Sequence, residues 1–298
     1  MDVARQTADE QAALWNGSSG QAWVDLQAVL DHMFERLEGL LAEAASAGSG
    51  GRVLDVGCGT GSTTLAVARP FGARGRCVGI DISEPMIAVA RKSAEQEGIP
   101  VSFICADVQT HAFEVASFDM IVSRFGVMFF DDPVRAFANL RRAARDDAAL
   151  RVIVWRSAAE NPFMTTAERA AAPFLPNIPA RQPDAPGQFG FADQGRVRGI
   201  LEESGWAGID IQPIDVACTL PEKELIRYLT RLGPLGGILP EADDETRARV
   251  IDTVRPAFDP YVHEAEVRFI AACWMVRARA RSALVAPKGQ PVAEPPLD

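Results

Sequence analysis

The first half of the chain alternates short apolar runs with helical patterns. The runs cover residues 52–56, 76–80, 101–106, 118–123 and 149–155. The segments 60–69 and 133–145 have the spacing of helices, and Ser83 followed by Pro85 is typical of a third helix start. Short buried strands that alternate with helices are typical of an α/β fold with a parallel sheet.

The flanks of this region follow other patterns. Apolar residues with helical spacing predict one long helix near the N-terminus, and they are Trp23, Leu26, Leu30, Met33, Leu37 and Leu40. Further strands are predicted at 206–217 and 267–279. The N-terminal part, 1–50, is predicted to be a helical cap that ends in a flexible junction at 45–51, and the core follows at 51–157. A lid insertion at 158–205 contains a helix at 193–204. The remaining strands lie at 206–280, interrupted by a helical insertion at 221–262, and 281–298 is predicted to be a disordered tail. Helices are expected at 221–231 and 243–256, with a Gly-rich break between them.

A glycine-rich turn follows the first predicted strand. Gly57, Gly59 and Gly61 alternate, and Asp55 lies two residues before the turn. Glycine allows a sharp bend and a close approach of a ligand to the backbone. Ser62 stands where a dinucleotide-binding fingerprint would have its third glycine. A carboxylate at a buried strand end needs a partner, so we expect Asp55 to meet a ligand or backbone donors.

Two further acids end the neighbouring runs. Asp81 lies 24 positions after Gly57, and Asp107 ends the third run. In a parallel βαβ unit, this spacing puts the Asp81 carboxylate at the tip of the adjacent strand, within reach of a ribose diol. The pattern therefore predicts a nucleotide-like ligand at one edge of the sheet.

The motifs VLDVGCGTG, GIDIS, CADV and FDMIVSRFGVMFFDDP resemble those of class I S-adenosylmethionine-dependent methyltransferases, and among these the ubiquinone/menaquinone-methyltransferase-like group. The resemblance covers about residues 50–157. It implies a Rossmann-like three-layer sandwich whose mostly parallel, seven-stranded sheet ends in an antiparallel strand, with a helical cap and helical lids. It implies S-adenosylmethionine as cofactor, with S-adenosylhomocysteine as product.

The resemblance also implies site residues. It assigns the methionyl part of the cofactor to Asp55, Gly57, Cys58, Gly59 and Gly61. It assigns the ribose to Asp81 and Ile82, and the adenine to Asp107 and Val108. Further contacts after strand four are assigned to Ser123 and Arg124. Trp23 and Trp15 are candidates for closing over the sulfonium, although plain packing explains them as well.

The crevice after strand four is the candidate acceptor site. Arg124, Phe125 and Met128 are its candidate substrate residues. Arg124 would clamp a substrate anion or orient the cofactor, and the alternative is a salt bridge with Asp131 or Asp132.

Several chemistries are not indicated by the motifs. Asn161, Pro162 and Phe163 only superficially resemble the amide clamp of amino-group methyltransferases. The acids before Pro133 are explained by helix capping, so no metal is expected. The candidate bases are His32, His111, His263, Tyr228 and Tyr261, and none is selected by its position. One departure from the family is the segment 145–149, where a Pro-Gly-Gly turn is usual.

Composition narrows the partners. The formal net charge of -10 argues against nucleic acid as a partner. The five cysteines show no metal-binding spacing, and we expect free thiols in a reducing compartment. Without an apolar leader or membrane span, the expected location is the cytoplasm, with a small-molecule acceptor, no membrane insertion and either a monomer or a homodimer.

The favoured hypothesis is a methyltransferase that acts on an O, N or C atom of a small molecule. One alternative is an NAD(P)-dependent oxidoreductase, against which Asp55 and the missing glycine at position 62 count. Another is a protein that keeps the fold and the cofactor without methylating.

Overall fold

The computed structural model describes residues 3–46, 51–74, 76–175 and 185–280. Within them, one eight-stranded sheet forms the centre of the molecule. Its strands are β1 (Arg52–Val56), β2 (Arg76–Asp81), β3 (Val101–Cys105), β4 (Phe118–Arg124), β5 (Ala144–Trp155), β6 (Trp206–Pro221), β7 (Val262–His263) and β8 (Glu266–Ala280).

The strand order is β3-β2-β1-β4-β5-β8-β6, and β7 pairs with β8. In this order, the first five strands, β3, β2, β1, β4 and β5, pair in parallel. The strand β8 is antiparallel to both of its neighbours, β5 and β6. The predicted Rossmann-like α/β fold with an antiparallel last strand is confirmed, with the two-residue β7 as an addition. The strand order reverses between β1 and β4, which creates the crevice where such sheets bind ligands.

Helices cover both faces and the edge of the sheet where β1 to β4 end. They are α1 (Val3–Asn16), α2 (Ser18–Asp25), α3 (Gln27–Ser46), α4 (Ser62–Ala68), α5 (Glu84–Glu97), α6 (Pro133–Ala143), α7 (Pro162–Ala171), α8 (Gln194–Glu203), α9 (Leu225–Arg231), α10 (Gly233–Ile238) and α11 (Asp244–Val254). Short 3₁₀ turns at 69–74, 127–129, 222–224, 239–241 and 255–261 connect them.

The main core lies between the sheet and the helices. Leu37 and Leu41 of α3, Ile121 of β4 and Leu140 of α6 are fully buried within it. Each lies on an apolar face of its helix or strand, so burial of these faces fixes the helices against the sheet.

Three expectations from the sequence differ from the structure. The single N-terminal helix is two helices, because Leu26 between α2 and α3 leaves the helical region at φ -101° and ψ 8°. The segment 145–149 is part of β5 with an irregular register rather than a turn, and Asp147 in it has φ 62°. The Gly-rich break after α9 is itself the helix α10. The predicted tail at 281–298 and residues 47–50 of the predicted junction lie outside the described residues.

Candidate functional site

The glycine turn after β1 leads directly into α4. Gly57, Gly59 and Gly61 have φ values of 65°, 54° and 91°, a left-handed conformation that other residues rarely adopt. A Cβ atom at Gly57 would lie 2.5 Å from the Cα atom of Gly126, whereas one at Gly59 would meet nothing closer than 3.7 Å. Gly57 therefore permits contact between two loops, and Gly59 leaves its backbone open.

Asp81 at the end of β2 holds this turn from the side. Its Oδ2 accepts from the Gly59 N–H at 2.8 Å, and its Oδ1 accepts from the Ser83 N–H at 2.9 Å. Asp81 is 8 % exposed, and burial raises its pKa although these backbone N–H groups oppose the shift. A carboxylate has about four acceptor positions. Asp81 thus keeps acceptor capacity for a ligand.

Asp55 lies beneath the turn. Its Oδ2 accepts from the Thr64 hydroxyl at 2.6 Å, and its Oδ1 is buried with no hydrogen-bond partner among the described residues. Burial raises the pKa of Asp55 to about 7, against the lowering effects of Thr64 and Arg124. This carboxyl group is therefore poorly solvated, as expected of a group that requires a further partner.

The end of β4 brings a cation and an aromatic ring to the crevice. The Arg124 Nη2 donates to the Ser62 hydroxyl at 3.0 Å, and the guanidinium lies 5.5 Å from the ring centroid of Phe34. Its Nη1 is buried without a hydrogen-bond partner in the described chain. Burial raises the pKa of Asp31 in α3, and Arg124 opposes this shift. The predicted alternative, a salt bridge of Arg124 with one of the two acids before Pro133, is not among the ion pairs of the described residues.

Phe125 has φ 65°, which is unusual for a bulky residue. Its ring stacks on Trp155 with centroids 4.6 Å apart and planes at 7°, and Phe34 packs edge-on against both rings. Before it, the Ser123 hydroxyl donates to the Val56 carbonyl at 2.7 Å and accepts from the N–H of the next glycine, Gly126, at 3.2 Å. Ser123 thus ties the ends of β1 and β4 together.

The N-terminal helices close the crevice from above. The Trp15 carbonyl accepts from the Ser83 hydroxyl at 2.6 Å, and the Trp15 ring packs edge-on against Phe129 at 5.0 Å. The Asn16 side chain accepts from the Glu84 N–H at 2.9 Å. Trp15 is also in edge-on contact with Trp23 at 6.4 Å. These contacts fix α1 over the loop that follows β2.

These elements enclose a cavity of about 430 Å³. The predicted site residues that line it are Trp15, Trp23, Gly57, Cys58, Gly59, Asp81, Ile82, Asp107, Val108, Arg124, Phe125 and Met128. Asp55, Gly61 and Ser123 are buried or packed around the turn rather than in the cavity wall. This volume lies within the range of small-molecule and cofactor sites, about 300–1,000 Å³.

Helices from the second half of the chain complete the wall. Phe163 and Met164 of α7 and Tyr228 and Leu229 of α9 line the cavity, together with residues of α10. The Tyr228 hydroxyl lies 3.5 Å from the Met164 sulfur, and burial raises its pKa. This part of the wall is mostly apolar, although Glu168 of α7 and Arg231 of α9 also line it.

Several site residues lie outside the predicted set. Gly126, Asn16, Asp31 and Asp131 depend on partners that are distant in the sequence, so no local pattern marks them as part of the site. In the sequence, Gly126 is marked only as a glycine that closely follows the end of a predicted strand.

The candidate bases lie mostly elsewhere. None of the three histidines is in the described cavity wall: His32 contacts Thr219, His111 packs against Phe113, and His263 is exposed in β7. The cysteines are free, and within the described ranges no three His, Cys, Asp or Glu side chains form a metal-binding group. No helix in the part of the chain that the structure describes has the length and apolar character needed to cross a lipid bilayer.

The fold and the cavity define an α/β protein with a candidate ligand site at its switch point. Comparison with known proteins narrows this class. Residues 53–147 match the family model described as methyltransferase domain. This part of the chain is therefore similar to methyltransferase domains.

Relatives of known name match over about a third of the chain. Aklanonic acid methyltransferase DauC of Streptomyces sp. (strain C5) is 39 % identical over 92 residues, which is 30 % of this chain and 42 % of the relative. Demethylmenaquinone methyltransferase of Thermus thermophilus is 36 % identical over 103 residues, which is 34 % of this chain and 46 % of the relative. The matched part thus spans less than half of either relative.

Solved structures match over more of the chain. The crystal structure of the YcgJ protein from Bacillus subtilis superimposes with a TM-score of 0.55 at 18 % identity, covering 83 % of this chain and 99 % of that protein. At this identity, the likeness shows the shared fold.

Proposed function

We propose that this protein is an S-adenosylmethionine-dependent methyltransferase that acts on a small organic acceptor. One observation carries the proposal: the glycine turn, with the left-handed Gly57 and Gly59, lines the cavity beside Asp81, inside the matched methyltransferase domain. The backbone there is open to a ligand, and Asp81 is already oriented by two N–H donors.

The residues present fit the proposed cofactor. Asp81 would accept from the ribose hydroxyls, and the turn 57–59 would contact the methionyl part through its backbone. The unpartnered Nη1 of Arg124 is a donor suited to the methionyl carboxylate or to an acceptor anion. Asp55 lies beneath the turn, so it would affect the methionyl end of the cofactor indirectly, by holding the glycine loop. Asp107 and Val108 would lie beside the adenine base of the cofactor.

The cofactor supplies a methyl group that its sulfonium already activates. The chain's task is then to align the acceptor with that methyl group and to exclude water. The stack of Phe125 on Trp155, with Phe34 against both, provides a rigid wall for this purpose. A general base is required only when the accepting atom must lose a proton in the transfer step.

The acceptor compartment favours a largely apolar molecule. Phe163, Met164 and Leu229 line this end of the cavity. The two relatives bear the names of small organic acceptors, aklanonic acid and demethylmenaquinone. The segments 158–205 and 221–262 contribute α7, α9 and α10 to this wall, and we assign them the role of lid.

Calorimetric titration tests the cofactor assignment. We expect S-adenosylmethionine and S-adenosylhomocysteine to bind and NAD not to bind. A ligand at 100 times its Kd also raises the unfolding free energy by about 2.7 kcal/mol, which thermal unfolding detects. Binding of NAD alone would overturn the proposal in favour of an oxidoreductase.

An acceptor screen tests the transfer itself. The protein is incubated with S-adenosylmethionine and a set of apolar small molecules with nucleophilic O, N or C atoms, and mass spectrometry looks for the gain of one methyl group. We expect methylated product together with S-adenosylhomocysteine. Tight cofactor binding without turnover of any acceptor class would instead favour a binding protein that keeps the fold.

A further inference from the structure

One hydroxyl group in the acceptor compartment has a weak hydrogen-bond partner. The Tyr228 hydroxyl of α9 donates to the Met164 sulfur of α7 at 3.5 Å, and both residues line the cavity. A thioether is a weak acceptor, and a buried tyrosine hydroxyl usually finds a stronger one. The Tyr228 O–H group is therefore suited to a better acceptor, such as an oxygen atom of a ligand.

The Tyr228 ring is held in place by aromatic neighbours. It is stacked on the Phe163 ring with centroids 6.1 Å apart, and Phe163 in turn is stacked on Phe269 at 4.0 Å. Packing of this kind restricts the rotation of the tyrosine side chain. The hydroxyl group thus has a defined position in the cavity wall, so a ligand that binds to it loses little free energy to ordering of the side chain.

The charged side chains of the same wall already interact within the protein. Among the residues of α7, α9 and α10 that line the cavity, the polar side chains are Glu168, Tyr228 and Arg231. Arg231 pairs with Asp25 of α2, and Glu168 also has an interaction within the protein. Tyr228 thus supplies an uncharged polar group to a wall that is otherwise largely apolar.

The surroundings of Tyr228 favour a hydrogen-bond donor over a general base. Burial raises the pKa of Tyr228, and the nearby Cys218 adds to the shift. An ordinary tyrosine, with a pKa of about 10, is already protonated at neutral pH. The Tyr228 hydroxyl therefore keeps its proton and can donate it in a hydrogen bond.

We infer that the Tyr228 hydroxyl donates a hydrogen bond to an oxygen atom of the methyl acceptor, so that this wall selects apolar molecules that carry a carbonyl or hydroxyl group. The inference rests on the proposed function and narrows the substrate class of the same cavity. On binding, the Tyr228 O–H group exchanges a sulfur acceptor for an oxygen acceptor, which is the stronger of the two. A pure hydrocarbon would leave the O–H group on the sulfur.

The experiment uses two bicyclic probes that differ in one carbonyl group, α-tetralone and tetralin. Calorimetry on the full chain loaded with S-adenosylhomocysteine gives both Kd values for the wild type and for Tyr228→Phe. We expect the loss of the hydroxyl to weaken binding of α-tetralone about three- to tenfold, which corresponds to one hydrogen bond. The Kd of tetralin should change by less than about twofold, because it has no oxygen to accept from Tyr228.

Tyr261→Phe is the matched control. Tyr261 packs edge-on against the same Phe163 ring, with centroids 5.2 Å apart, but is not part of the described cavity wall. The same substitution there should leave the Kd of α-tetralone unchanged. Met164→Leu removes the sulfur and keeps the hydroxyl, so it should bind α-tetralone at least as tightly as the wild type.

The protonation of Tyr228 can be followed separately, because the chain has two tyrosines. Tyr261→Phe leaves Tyr228 as the remaining one, and the ultraviolet absorbance of tyrosinate should then be absent at about pH 10, where an ordinary tyrosine is half ionised. Ionisation of Tyr228 at or below this pH in the folded protein would overturn the donor role in favour of a base.

An unchanged Kd of α-tetralone in Tyr228→Phe, or an equal weakening of both probes, would overturn the inference. A loss of α-tetralone binding in Met164→Leu would also overturn it, because the contact between the hydroxyl and the sulfur would then be structural. A wild type that binds S-adenosylhomocysteine but neither probe would overturn the inference and leave the proposed function intact. A wild type that does not bind S-adenosylhomocysteine would contradict the proposed function itself.

Discussion

At the scale of single residues, the site is built from carboxyl groups that are oriented before any ligand arrives. Asp81 is the clearest case, because backbone N–H groups on both sides hold its two oxygens at 2.8 and 2.9 Å. This carboxylate is thus oriented during folding, so a ligand that binds to it loses little free energy to reorganisation of the side chain.

Asp81→Asn should therefore weaken binding of S-adenosylhomocysteine. The loss of charge-assisted hydrogen bonds predicts a change of about 1–3 kcal/mol in binding free energy, measured by calorimetry. Glu84→Gln, in the next helix and more than half exposed, is the control and should bind as the wild type does. Equal Kd values for Asp81→Asn and the control would contradict the ribose assignment.

Asp55 predicts a pH dependence of stability. Its pKa rises from 3.8 to about 7 on folding, so the folded state keeps a proton that the unfolded chain releases above pH 4. The contribution of this group to the unfolding free energy is fully present below about pH 4 and is lost as the pH rises through about 7. The loss amounts to roughly 4 kcal/mol at most.

Asp55→Asn removes the titration and keeps an acceptor for Thr64. Urea unfolding at about pH 5 and about pH 8 should show that the wild type loses stability relative to Asp55→Asn at the higher pH. A stability difference that does not vary with pH would show that Asp55 is ionised throughout this range.

The sequence marks the candidate site residues that lie close together in the chain. Asp55, Gly57 and Gly59 lie within five positions, and Asp81 follows at the spacing of a βαβ unit. Asp131 is visible in the sequence only as a neighbour of a helix cap, because the cavity that it lines is formed by helices from both ends of the chain. Packing between distant segments leaves no periodic signal in the sequence.

At the scale of elements, the site depends on how closely the loops after β1 and β4 approach each other. A Cβ atom on Gly126 would lie 2.6 Å from the Cα atom of Gly57 and 2.5 Å from the Val56 carbonyl oxygen. Backbone meets backbone here, so no side chain can move aside to relieve a clash.

Gly57→Ala should accordingly destabilise the protein by more than its backbone conformation alone explains. Gly98→Ala is the matched control, since Gly98 has the same φ of 65° but a Cβ atom added there would meet nothing within 4 Å. The control should cost about 1–2 kcal/mol from the left-handed conformation, and Gly57→Ala several kcal/mol. Equal losses in denaturant unfolding would show that the loops separate easily.

The sequence predicts elements best where periodicity is uninterrupted. The strands β1 to β4 and the helix α8 agree with the sequence pattern to within a few residues. The break at Leu26 leaves no mark in the pattern, because the apolar stripe continues through it. The irregular start of β5 resembles a turn in sequence, because consecutive Asp residues are typical of turns.

At the scale of the whole molecule, the N-terminal helices and the second insertion meet beside the cavity. Arg231 at the end of α9 forms a salt bridge with Asp25 at the end of α2, and Arg227 donates to the Asp25 carbonyl. Arg231 also lines the cavity. The ion pair therefore joins segments from the two halves of the chain next to the site.

Asp25→Asn should speed the release of S-adenosylhomocysteine. The pair is partly exposed, so its loss should raise the dissociation rate only about two- to fivefold, measured by stopped-flow displacement. Asp244→Asn breaks the ion pair of Asp244 with Arg247 within α11, and it should leave the rate unchanged. Identical rates in the two variants would mean that the helices open without breaking the Asp25 contact.

The left-handed backbone of Phe125 limits how this part of the cavity wall can change in evolution or design. Few residues tolerate φ 65°, and the stack with Trp155 and the edge contact with Phe34 compensate for it. A substitution at any one of the three positions exposes the strain that the other two offset. We therefore expect these three residues of the cavity wall to change as a set rather than one at a time.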